Sequence, residues 1–401
     1  MTKRMDRGER TGRIVFAITH TTPGGLLELW QDLAGDLRAR GHTVDMLAFY
    51  PHTDDAGRAQ PQPGWTYLLA RRASSPLAVP LLLWRLWRYL RRERPVAVIT
   101  AMPLAGIGFA LVGRMVGSTA VVVTHHSPSF TYAPIQRRIE RRTSALRNVQ
   151  AIVGVSHAVT DSFRPASPEY EARLATVPNA LPRDVAAALA DMRASRAGRT
   201  GGRRVVALGR LAAQKNYPVL LRAMAHLPDV TLDIVGEGED RAALEAQAAA
   251  LGITERVAFR GQMPRAEALN LAASADVFVQ PSLYEGHSLA LIEAACLGLP
   301  LIVSDVPTQV EGVTTRAGEV CGLVVRCDDD RALAAAIGDL LDNPDQCAAW
   351  SEAAIRLGQD GSMDELAAQY EALALDALAY CTRSKKMWPR KAQAANIGIG
   401  P

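Results

Sequence analysis

The sequence has 401 residues and a formal net charge of +4 at pH 7, a length that exceeds one ordinary hydrophobic core and predicts two domains. The charge is uneven: residues 1–183 carry 24 basic and 13 acidic side chains, and the remainder carries 21 and 28. This asymmetry indicates different partners for the two halves. No helix-turn-helix, RNP or zinc-finger pattern supports nucleic acid as a partner, so an anionic membrane surface or a lipid-pyrophosphate acceptor is favoured.

The cysteines and two apolar runs indicate the cellular location of the protein. The five cysteines show no metal or disulfide spacing, and the first is Cys296, so they are interpreted as reduced thiols of a cytoplasmic protein. The charged residues 1–13 precede an apolar run too short for a signal peptide. Residues 96–113 carry no charge over the length of a membrane span, but Pro103 and two glycines interrupt them. A buried strand, a turn and a short helix are therefore predicted there.

The first elements alternate in type. Residues 13–19 predict a buried strand, Pro23-Gly24-Gly25 a turn, residues 26–40 an amphipathic helix and residues 43–49 a second strand. This order is typical of a Rossmann-like domain. Gly24 and Gly25 lack the full dinucleotide fingerprint, so an NAD site is not predicted. A tight turn and a close approach to a ligand are the two open roles for these glycines.

Two basic segments follow. In residues 76–94 one predicted helical face is apolar, and arginines flank it. The face comprises Leu83, Leu86, Trp87 and Leu90, and the arginines are Arg85, Arg88, Arg91 and Arg92. This pattern fits either a membrane-interface helix or a core-packed helix with a solvated end. Residues 135–148 place four more arginines around Glu140, as a solvated face or as a site for an anionic acceptor.

Two later strands complete the first predicted domain, residues 1–183. Residues 120–127 deliver His125 and His126 to the carboxyl end of a strand, where open α/β sheets bind ligands. Residues 151–156 predict another strand, and residues 157–163 a helix. The interdomain linker is predicted within residues 181–203, which include a polar, glycine-rich run.

The second predicted domain, residues 184–370, opens with a strand at 204–208. Arg210 comes just after that strand and Lys215 near the next helix, so two cations that can neutralise a diphosphate lie close in sequence. Structural ion pairing is the alternative role. Further turns with Gly236 and with Met263 follow predicted strands at 231–235 and 257–261.

Residues 275–305 are the most informative stretch. They predict a strand at 277–280, a loop, a helix at 288–296 and a strand at 300–304, as in a buried parallel βαβ unit. Glu285 before the helix and Glu293 inside it are predicted to face one crevice beyond the strand ends. Gly286 allows close backbone approach, and the N–H groups of His287, Ser288 and Leu289 suit a phosphate.

The C-terminal part predicts mainly helices. Cys327-Asp328-Asp329-Asp330 precedes an alanine-rich run and is predicted to cap a helix rather than to bind a metal. Residues 364–380 predict a long helix. Residues 371–401 are assigned to a final helical segment and a tail.

E-G-H-S-L-A-L-I-E at 285–293 resembles the E-x7-E element of the retaining GT-B glycosyltransferases of family 4, which includes bacterial polysaccharide glycosyltransferases. The flanking S-x-Y-E-G and G-x-P-x-I-x-S-D segments resemble this family too, as do pieces spread over residues 13–370. The resemblance implies an α/β fold of two Rossmann-like, doubly wound domains that face each other across a cleft. It also implies that the last helix crosses back onto the first domain.

The resemblance implies roles for individual residues. Arg210 and Lys215 would hold the donor diphosphate, Glu293 the ribose hydroxyls and Glu285 the donor sugar. His126 would contact the sugar from the first domain, with His125 as the alternative because the match permits a one-residue slip. The remaining donor-binding positions are backbone or loop positions: Gly24, Gly25, Gly236, Met263, Gly286, His287, Ser288 and Leu289.

The implied reaction moves a sugar from a UDP- or GDP-sugar to a hydroxyl of a glycan or lipid-linked acceptor, with retention and without a metal or other cofactor. The implied setting is exopolysaccharide or cell-surface glycan synthesis by a cytoplasmic protein in peripheral contact with the inner membrane. His287 and Ser288 replace the more common Phe and Gly, which leaves the hexose open. The alternatives are a UDP-sugar epimerase of the same fold, a phosphorylase with pyridoxal phosphate, and a non-catalytic sugar- or lipid-binding module.

Overall fold

A computed structural model describes residues 12–22, 24–53, 57–72, 78–117, 119–196 and 202–387, the last ten of these by their backbone alone. Pro23 of the predicted glycine turn, most of the predicted polar linker run (197–201) and the greater part of the predicted tail (388–401) lie outside the described residues.

The first domain is built on a parallel sheet. Its described strands are β1 (Arg13–His20), β2 (Thr43–Tyr50), β5 (Trp65–Tyr67), β6 (Ala97–Ala101), β7 (Ala120–His125), β8 (Val149–Gly154) and β9 (Leu174–Thr176). The spatial order is β5-β2-β1-β6-β7-β8-β9, while β3 (His52–Thr53) and β4 (Ala59–Gln60) pair antiparallel beside it. The described helices of this domain are α1 (Gly25–Ala39), α2 (Ala78–Glu93), α3 (Pro103–Val116), α4 (Pro134–Ser144), α5 (His157–Asp161) and α6 (Pro168–Glu171).

Strand β1 shows why its sheet is covered on both faces. Ile14, Phe16 and Ile18 enter one buried cluster with α1, whereas Val15 and Ala17 enter another with α2 and α3. Because side chains alternate along a strand, an uninterrupted apolar run needs helices on both sides.

The second domain repeats this plan. Its described strands are β10 (Arg204–Leu208), β11 (Thr231–Val235), β12 (Val257–Gly261), β13 (Val277–Gln280), β14 (Leu301–Ser304) and β15 (Leu323–Val325), in the spatial order β12-β11-β10-β13-β14-β15. The described helices are α7 (Arg183–Arg196), α8 (Tyr217–Ala225), α9 (Arg241–Ala250), α10 (Arg265–Ala273), α11 (Leu289–Cys296), α12 (Pro307–Gly312), α13 (Asp330–Asp342) and α14 (Pro344–Gly358).

Helices α7 and α15 (Met363–Met387) connect the domains. Helix α7 packs on α10 and α11, so much of the segment predicted as linker is a helix attached to the second domain. Helix α15 returns to the first sheet, where Tyr370 lies 6.4 Å from the ring of Phe16. The predicted boundary at residue 371 falls inside this helix.

The two sheets change direction at equivalent places. The chain runs outward from β1 to β2, then crosses to β6 on the other side of β1; β10, β11 and β13 have the same relation. Crevices at such switch points, beyond the carboxyl ends of the strands, are where doubly wound sheets bind ligands. Each domain therefore contributes one crevice.

The structure shows how two predicted segments fold, residues 96–113 and helix α2. Residues 96–113 form β6 and most of α3, as predicted, and across the described ranges no helix combines the length and apolarity that a bilayer crossing requires. In α2, Leu86 and Leu90 are buried, as in the core-packed alternative, but Leu83 is 38% exposed. The buried face of α2 is therefore narrower than the predicted apolar face. This helix also exposes apolar side chains, so its apolar residues lie on more than one side.

Candidate active site

Glu285 lies at the switch point of the second sheet in a set of hydrogen bonds. Its Oε1 is 2.7 Å from Lys215 Nζ and accepts from Gln280 Nε2 at 2.9 Å. Its Oε2 accepts from Gln214 Nε2 at 3.3 Å, and its backbone N–H donates to Thr308 Oγ1 at 3.0 Å. The side chains of Lys215 and Glu285 are only 12% and 9% exposed. The carboxylate is therefore fixed and its charge is balanced by one buried cation.

Local backbone geometry brings Lys215 to this position. Gly209 follows β10 with φ 151°, and a Cβ there would lie 2.5 Å from Lys215 Cε, so a side chain at this position would displace the end of the lysine. Asn216 is left-handed (φ 53°), and its amide donates to two carbonyls of neighbouring loops. Arg210, by contrast, is 61% exposed and lies 3.7 Å from Glu239. The structure thus joins Lys215 to Glu285 and leaves the Arg210 guanidinium on the surface.

Glu293 lies inside α11 and is also buried. Its Oε1 accepts from Arg265 Nε at 2.8 Å and is 2.6 Å from Arg265 Nη2. Burial raises the pKa of Glu293 above its ordinary value, and the Arg265 charge opposes that rise. Arg265 Nη1 also lies 3.6 Å from Glu28 of α1, so this arginine reaches both domains.

His126 meets the glutamate loop from the first domain. A Cβ on Gly286 would lie 2.3 Å from the carbonyl oxygen of His126, which explains glycine at this position. His126 Nε2 is 2.8 Å from Thr124 Oγ1, and the ring packs edge-on against Trp30. Burial lowers the pKa of His126 to about 3, so its imidazole is neutral at pH 7.

Other predicted donor residues lie along the same domain boundary. A Cβ on Gly25 would lie 3.0 Å from Leu289 Cδ1, so the starts of α1 and α11 are in close approach. Asn179 Nδ2 donates to the carbonyl of His287 at 2.8 Å. Burial lowers the pKa of His287 to about 4, and its Nδ1 is buried without a hydrogen-bond partner. Ser288 Oγ is the N-cap of α11 and accepts from Gln280 at 3.0 Å.

The three remaining predicted positions have packing or backbone roles in the structure. A Cβ on Gly236 (φ 141°) would lie 2.1 Å from the Gly209 carbonyl, so these two loops pack back to back. Met263 packs on the apolar cluster beneath α10 and α11. The Gly24 carbonyl accepts from Leu27 N–H at 3.0 Å at the start of α1.

The alternative residue His125 is buried within the first domain. It stacks on Phe163 at 4.0 Å, and its ring nitrogens are 3.2 Å from the Tyr132 hydroxyl and 3.3 Å from Glu140 Oε1. Glu140 is itself buried, with Tyr170 donating to its carboxylate, so the helix that carries the four arginines around it has one buried side. Burial alone would raise the pKa of Glu140, but His125 and the hydrogen bonds hold it below its usual value.

Sequence reasoning missed the residues that position the two glutamates. Gln280 is a buried amide at the last position of an otherwise apolar strand. A polar residue at the end of a buried apolar run is a sequence signal for a site residue. Gln214, Thr308 and Arg265 carry no comparable signal, because their partners lie 23 to 71 residues away in the sequence.

The predicted helix cap at residues 327–330 is confirmed: Asp329 Oδ1 accepts from Ala332 N–H at 2.9 Å at the start of α13. Within the part of the chain that the structure describes, no group of three or more His, Cys, Asp or Glu side chains is arranged to hold a metal ion.

The arrangement of two facing Rossmann-like domains defines the GT-B class. The structure superposes on Anabaena HepE in complex with UDP and glucose with a TM-score of 0.72 at 16% identity, covering 90% of this chain and 99% of that chain. For sucrose-phosphate synthase from Thermosynechococcus elongatus the TM-score is 0.72 at 22% identity, with 92% and 100% covered. The predicted GT-B fold is confirmed.

The sequence matches Glycosyltransferase Family 4 over residues 23–185 and Glycosyl transferases group 1 over residues 190–357. The GDP-mannose-dependent alpha-(1-6)-phosphatidylinositol monomannoside mannosyltransferase of Mycolicibacterium smegmatis is 32% identical over 265 residues, which are 62% of this chain and 67% of that protein. Glycogen synthase of Mycobacterium tuberculosis is 34% identical over 155 residues, 38% of this chain and 37% of that protein. The chain belongs to the family 4 glycosyltransferases, and its predicted assignment as a glycosyltransferase is confirmed.

Proposed function

We propose that this enzyme transfers a sugar from a UDP- or GDP-sugar to a hydroxyl of a glycan or lipid-linked acceptor, with retention at the anomeric carbon, in the synthesis of a polysaccharide or cell-surface glycan. The observation that carries the proposal is the buried Lys215–Glu285 pair at a switch point, with His126 and Gly286 in contact across the domain boundary beside it. The GDP-mannose dependence of the mannosyltransferase relative supports a nucleotide-sugar donor.

The donor diphosphate is assigned to Lys215, Arg210 and the start of α11. Bond cleavage leaves negative charge on the departing phosphate, and preorganised cations stabilise that charge most as it develops. Lys215 is held in place by Glu285, whereas the exposed Arg210, 3.7 Å from the equally exposed Glu239, can turn its planar guanidinium onto phosphate oxygens. The N–H groups at the start of α11, from Ser288 onward, add further donors.

The two glutamates are assigned to donor hydroxyls. Both Arg265 contacts go to Glu293 Oε1, so Oε2 is left to accept from the ribose. Glu285 is assigned to the donor sugar. Because Lys215, Gln280 and Gln214 already engage its carboxylate, a hydrogen-bonding role is favoured over covalent attack on the sugar. The neutral His126 ring then contacts the sugar without acting as an acid.

No resident cofactor is proposed, and the cations named above take the place of a metal ion at the diphosphate. The expected result is an unchanged transfer rate when EDTA is added to enzyme dialysed free of divalent ions. A rate that falls with EDTA and returns with Mg²⁺ would contradict this part of the proposal.

A peripheral membrane location on the cytoplasmic face is proposed from one surface of the first domain. Helix α3 packs between α2 and α4, and these three helices expose apolar side chains. They are Val79, Leu81, Leu83 and Trp84 of α2, Leu104, Leu111 and Met115 of α3, and Ile135 and Ile139 of α4. Arg88 and Arg91 stack over Trp84 and Trp87 beside them. Exposed apolar groups interleaved with arginines suit an anionic lipid surface.

Vesicle sedimentation tests this location. Wild-type protein is expected to sediment with phosphatidylglycerol-containing vesicles, and L81E/W84E to lose most of that binding. Val320→Glu, at an exposed valine of the second domain, is the matched control and should bind as wild type. Equal sedimentation of L81E/W84E and wild type would contradict the assignment.

The activity test is incubation with UDP-, GDP- and ADP-sugars in the presence of membrane lipids. The expected result is nucleoside diphosphate release that depends on an acceptor, with an α-linked product from an α-linked donor. Sugar interconversion without an acceptor would instead indicate an epimerase, and tight binding without nucleotide release would indicate a binding module.

A further inference from the structure

Helix α12 lies between the loop that carries Glu285 and the first domain, and it makes polar contacts on both sides. On one side it packs on α5 of the first domain. On the other side it contacts the end of β13 and the loop that follows it. A helix of six residues is too short to be stable by itself, so these contacts determine where α12 lies.

Glu311 of α12 binds the start of α5 from the opposite domain. Its Oε1 accepts from the N–H of His157 at 2.6 Å, and its Oε2 accepts from the N–H of Ala158 at 2.7 Å. Ser156, the N-cap within the first domain, accepts from the N–H of Val159 at 3.2 Å. The first N–H groups of a helix have no partner within it, and a carboxylate forms charge-assisted hydrogen bonds with them. The second domain therefore supplies two of the three partners at this helix start.

Two buried side chains of α12 hold Glu285 from the other side. Thr308 is only 6% exposed, and its Oγ1 accepts from the backbone N–H of Glu285 at 3.0 Å. Gln309 is fully buried, and its Nε2 donates to the carbonyl oxygen of Gln280 at 2.6 Å. Gln280 in turn donates from Nε2 to Glu285 Oε1 at 2.9 Å. The backbone and the carboxylate of Glu285 are thus both connected to α12.

The end of α12 that carries Glu311 is packed closely against α11. A Cβ on Gly312 would lie 2.9 Å from Leu291 Cδ2. A closely packed interior leaves little space in which a shift of one element can be absorbed, and chains of packed side chains and hydrogen bonds carry such a shift onward. A movement of Glu311 relative to α5 is therefore expected to reach Thr308 and Gln309.

We propose that Glu311 is a positioning residue for sugar transfer: its contact with α5 fixes α12, and α12 holds Glu285 in the geometry that the donor sugar requires. Glu311 acts through Thr308 and Gln309 and not by contact with the sugar. The arrangement makes the geometry of a carboxylate in the second domain depend on the contact with the first domain. This role of Glu311 rests on the proposed function, in which Glu285 binds the donor sugar.

A set of variants isolates the contact. Glu311→Ala removes the carboxylate. His157→Pro removes one of the N–H groups that it binds, and proline is accommodated at the first position of a helix after an extended residue such as Ser156. His157→Ala keeps that N–H and is the matched control for loss of the imidazole. Glu319→Ala, which removes an exposed ion pair with Arg356 within the second domain, is the matched control for loss of a glutamate.

Hydrogen exchange followed by mass spectrometry measures the coupling without turnover. Residues 281–290 should exchange roughly 10-fold faster or more in Glu311→Ala, and faster by a smaller factor in His157→Pro, because the N–H of Glu285 loses a fixed partner. Strands β10 and β11 should keep the protection of the wild type, as expected if the second domain stays folded. Both control variants should match the wild type. Unchanged exchange of residues 281–290 in Glu311→Ala would overturn the proposal.

Turnover and nucleotide binding give the second readout. The kcat for transfer should fall by roughly 10- to 100-fold in Glu311→Ala, because a misplacement of about 1 Å at the reacting centre has an effect of that size. The affinity for UDP or GDP should stay within about twofold of the wild type, because Lys215 and Arg210 are unchanged. Adding His157→Pro to Glu311→Ala should lower kcat no further, because both changes remove the same contact.

The kinetic outcomes separate this role from the proposed function. Independent, additive losses of kcat in the double variant, or equal kcat in Glu311→Ala and Glu319→Ala, would contradict the role of Glu311. A loss of nucleotide affinity as large as the loss of kcat would contradict it too. Absence of turnover in the wild type with every sugar nucleotide would instead contradict the proposed function, and hydrogen exchange would then decide whether Glu311 holds the loop of Glu285.

Discussion

At the scale of single residues, the site depends on buried charges that are held in pairs. Lys215 with Glu285 and Arg265 with Glu293 each place a carboxylate within 2.7 Å of a cation. Removal of one partner of a buried pair leaves an uncompensated charge, whereas an exposed pair contributes little. The residues proposed to bind the donor are therefore also residues expected to determine the stability of the second domain.

The Lys215–Glu285 pair predicts strong coupling between two substitutions. Lys215→Met and Glu285→Gln should each destabilise the protein by about 3–5 kcal/mol, and the double variant by less than the sum. Urea denaturation of the four proteins measures this coupling. Arg326→Ala, which removes an exposed ion pair with Asp328, should change stability by no more than about 1 kcal/mol. Additive effects of the two buried substitutions would contradict the pairing.

Glu293 predicts a pH dependence of donor binding. Burial raises its pKa above the ordinary value of 4.5, so its carboxylate gains a proton at a higher pH than a free glutamate does. Protonation removes an acceptor for the ribose hydroxyls, and nucleotide affinity should therefore fall as the pH drops through that raised value. Fluorescence titration with UDP or GDP from pH 7.5 downward measures the effect. Glu293→Gln should bind weakly at all pH values, and an unchanged pH profile in this variant would disprove the role.

At the scale of elements, the proposed site residues other than Glu293 lie where a strand is followed by a loop or by the start of a helix. The loop after β13 carries Glu285 and Gly286, and α11 begins just beyond it at Leu289. The end of β7 carries His126, whose carbonyl fills the space that a Gly286 side chain would need. Contact between backbone atoms, rather than between side chains, determines the distance between these two segments.

Gly286→Ala tests that closeness. The new Cβ would lie 2.3 Å from a backbone oxygen that is part of another element, so one of the two loops has to move. Misplacement of about 1 Å is expected to lower kcat by roughly 100-fold while the protein stays folded. Gly35→Ala is the control, because a Cβ there meets no atom within 4 Å, and it should retain full activity. Wild-type kcat for Gly286→Ala would refute the contact.

At the scale of the whole molecule, two domains with one crevice each are held together by α15 and by contacts across their boundary. Glu311 of α12 accepts from the N–H groups of His157 and Ala158 at 2.6 and 2.7 Å. Asn179 and Arg265 make the other polar contacts described above. These contacts join the two domains along one boundary.

The fold was largely predictable because the sequence patterns that indicate its strands and helices are local. Strands at 204–208, 231–235 and 257–261 are confirmed with their predicted bounds, since each is a short apolar run between turn residues. The sequence did not show what His125 and His126 each contact, because neighbouring side chains of an extended segment point in opposite directions and only the packed sheet shows what each one meets.

We propose above that the second domain binds a nucleoside diphosphate through Lys215. Calorimetric titration of the full chain with UDP and with GDP tests it most directly, with Lys215→Ala and Arg326→Ala in parallel. We expect one nucleotide to bind per chain. The affinity for the nucleotide should fall by roughly 10- to 100-fold in Lys215→Ala and stay unchanged in Arg326→Ala. No binding of either nucleotide, or equal affinity in wild type and Lys215→Ala, would contradict it.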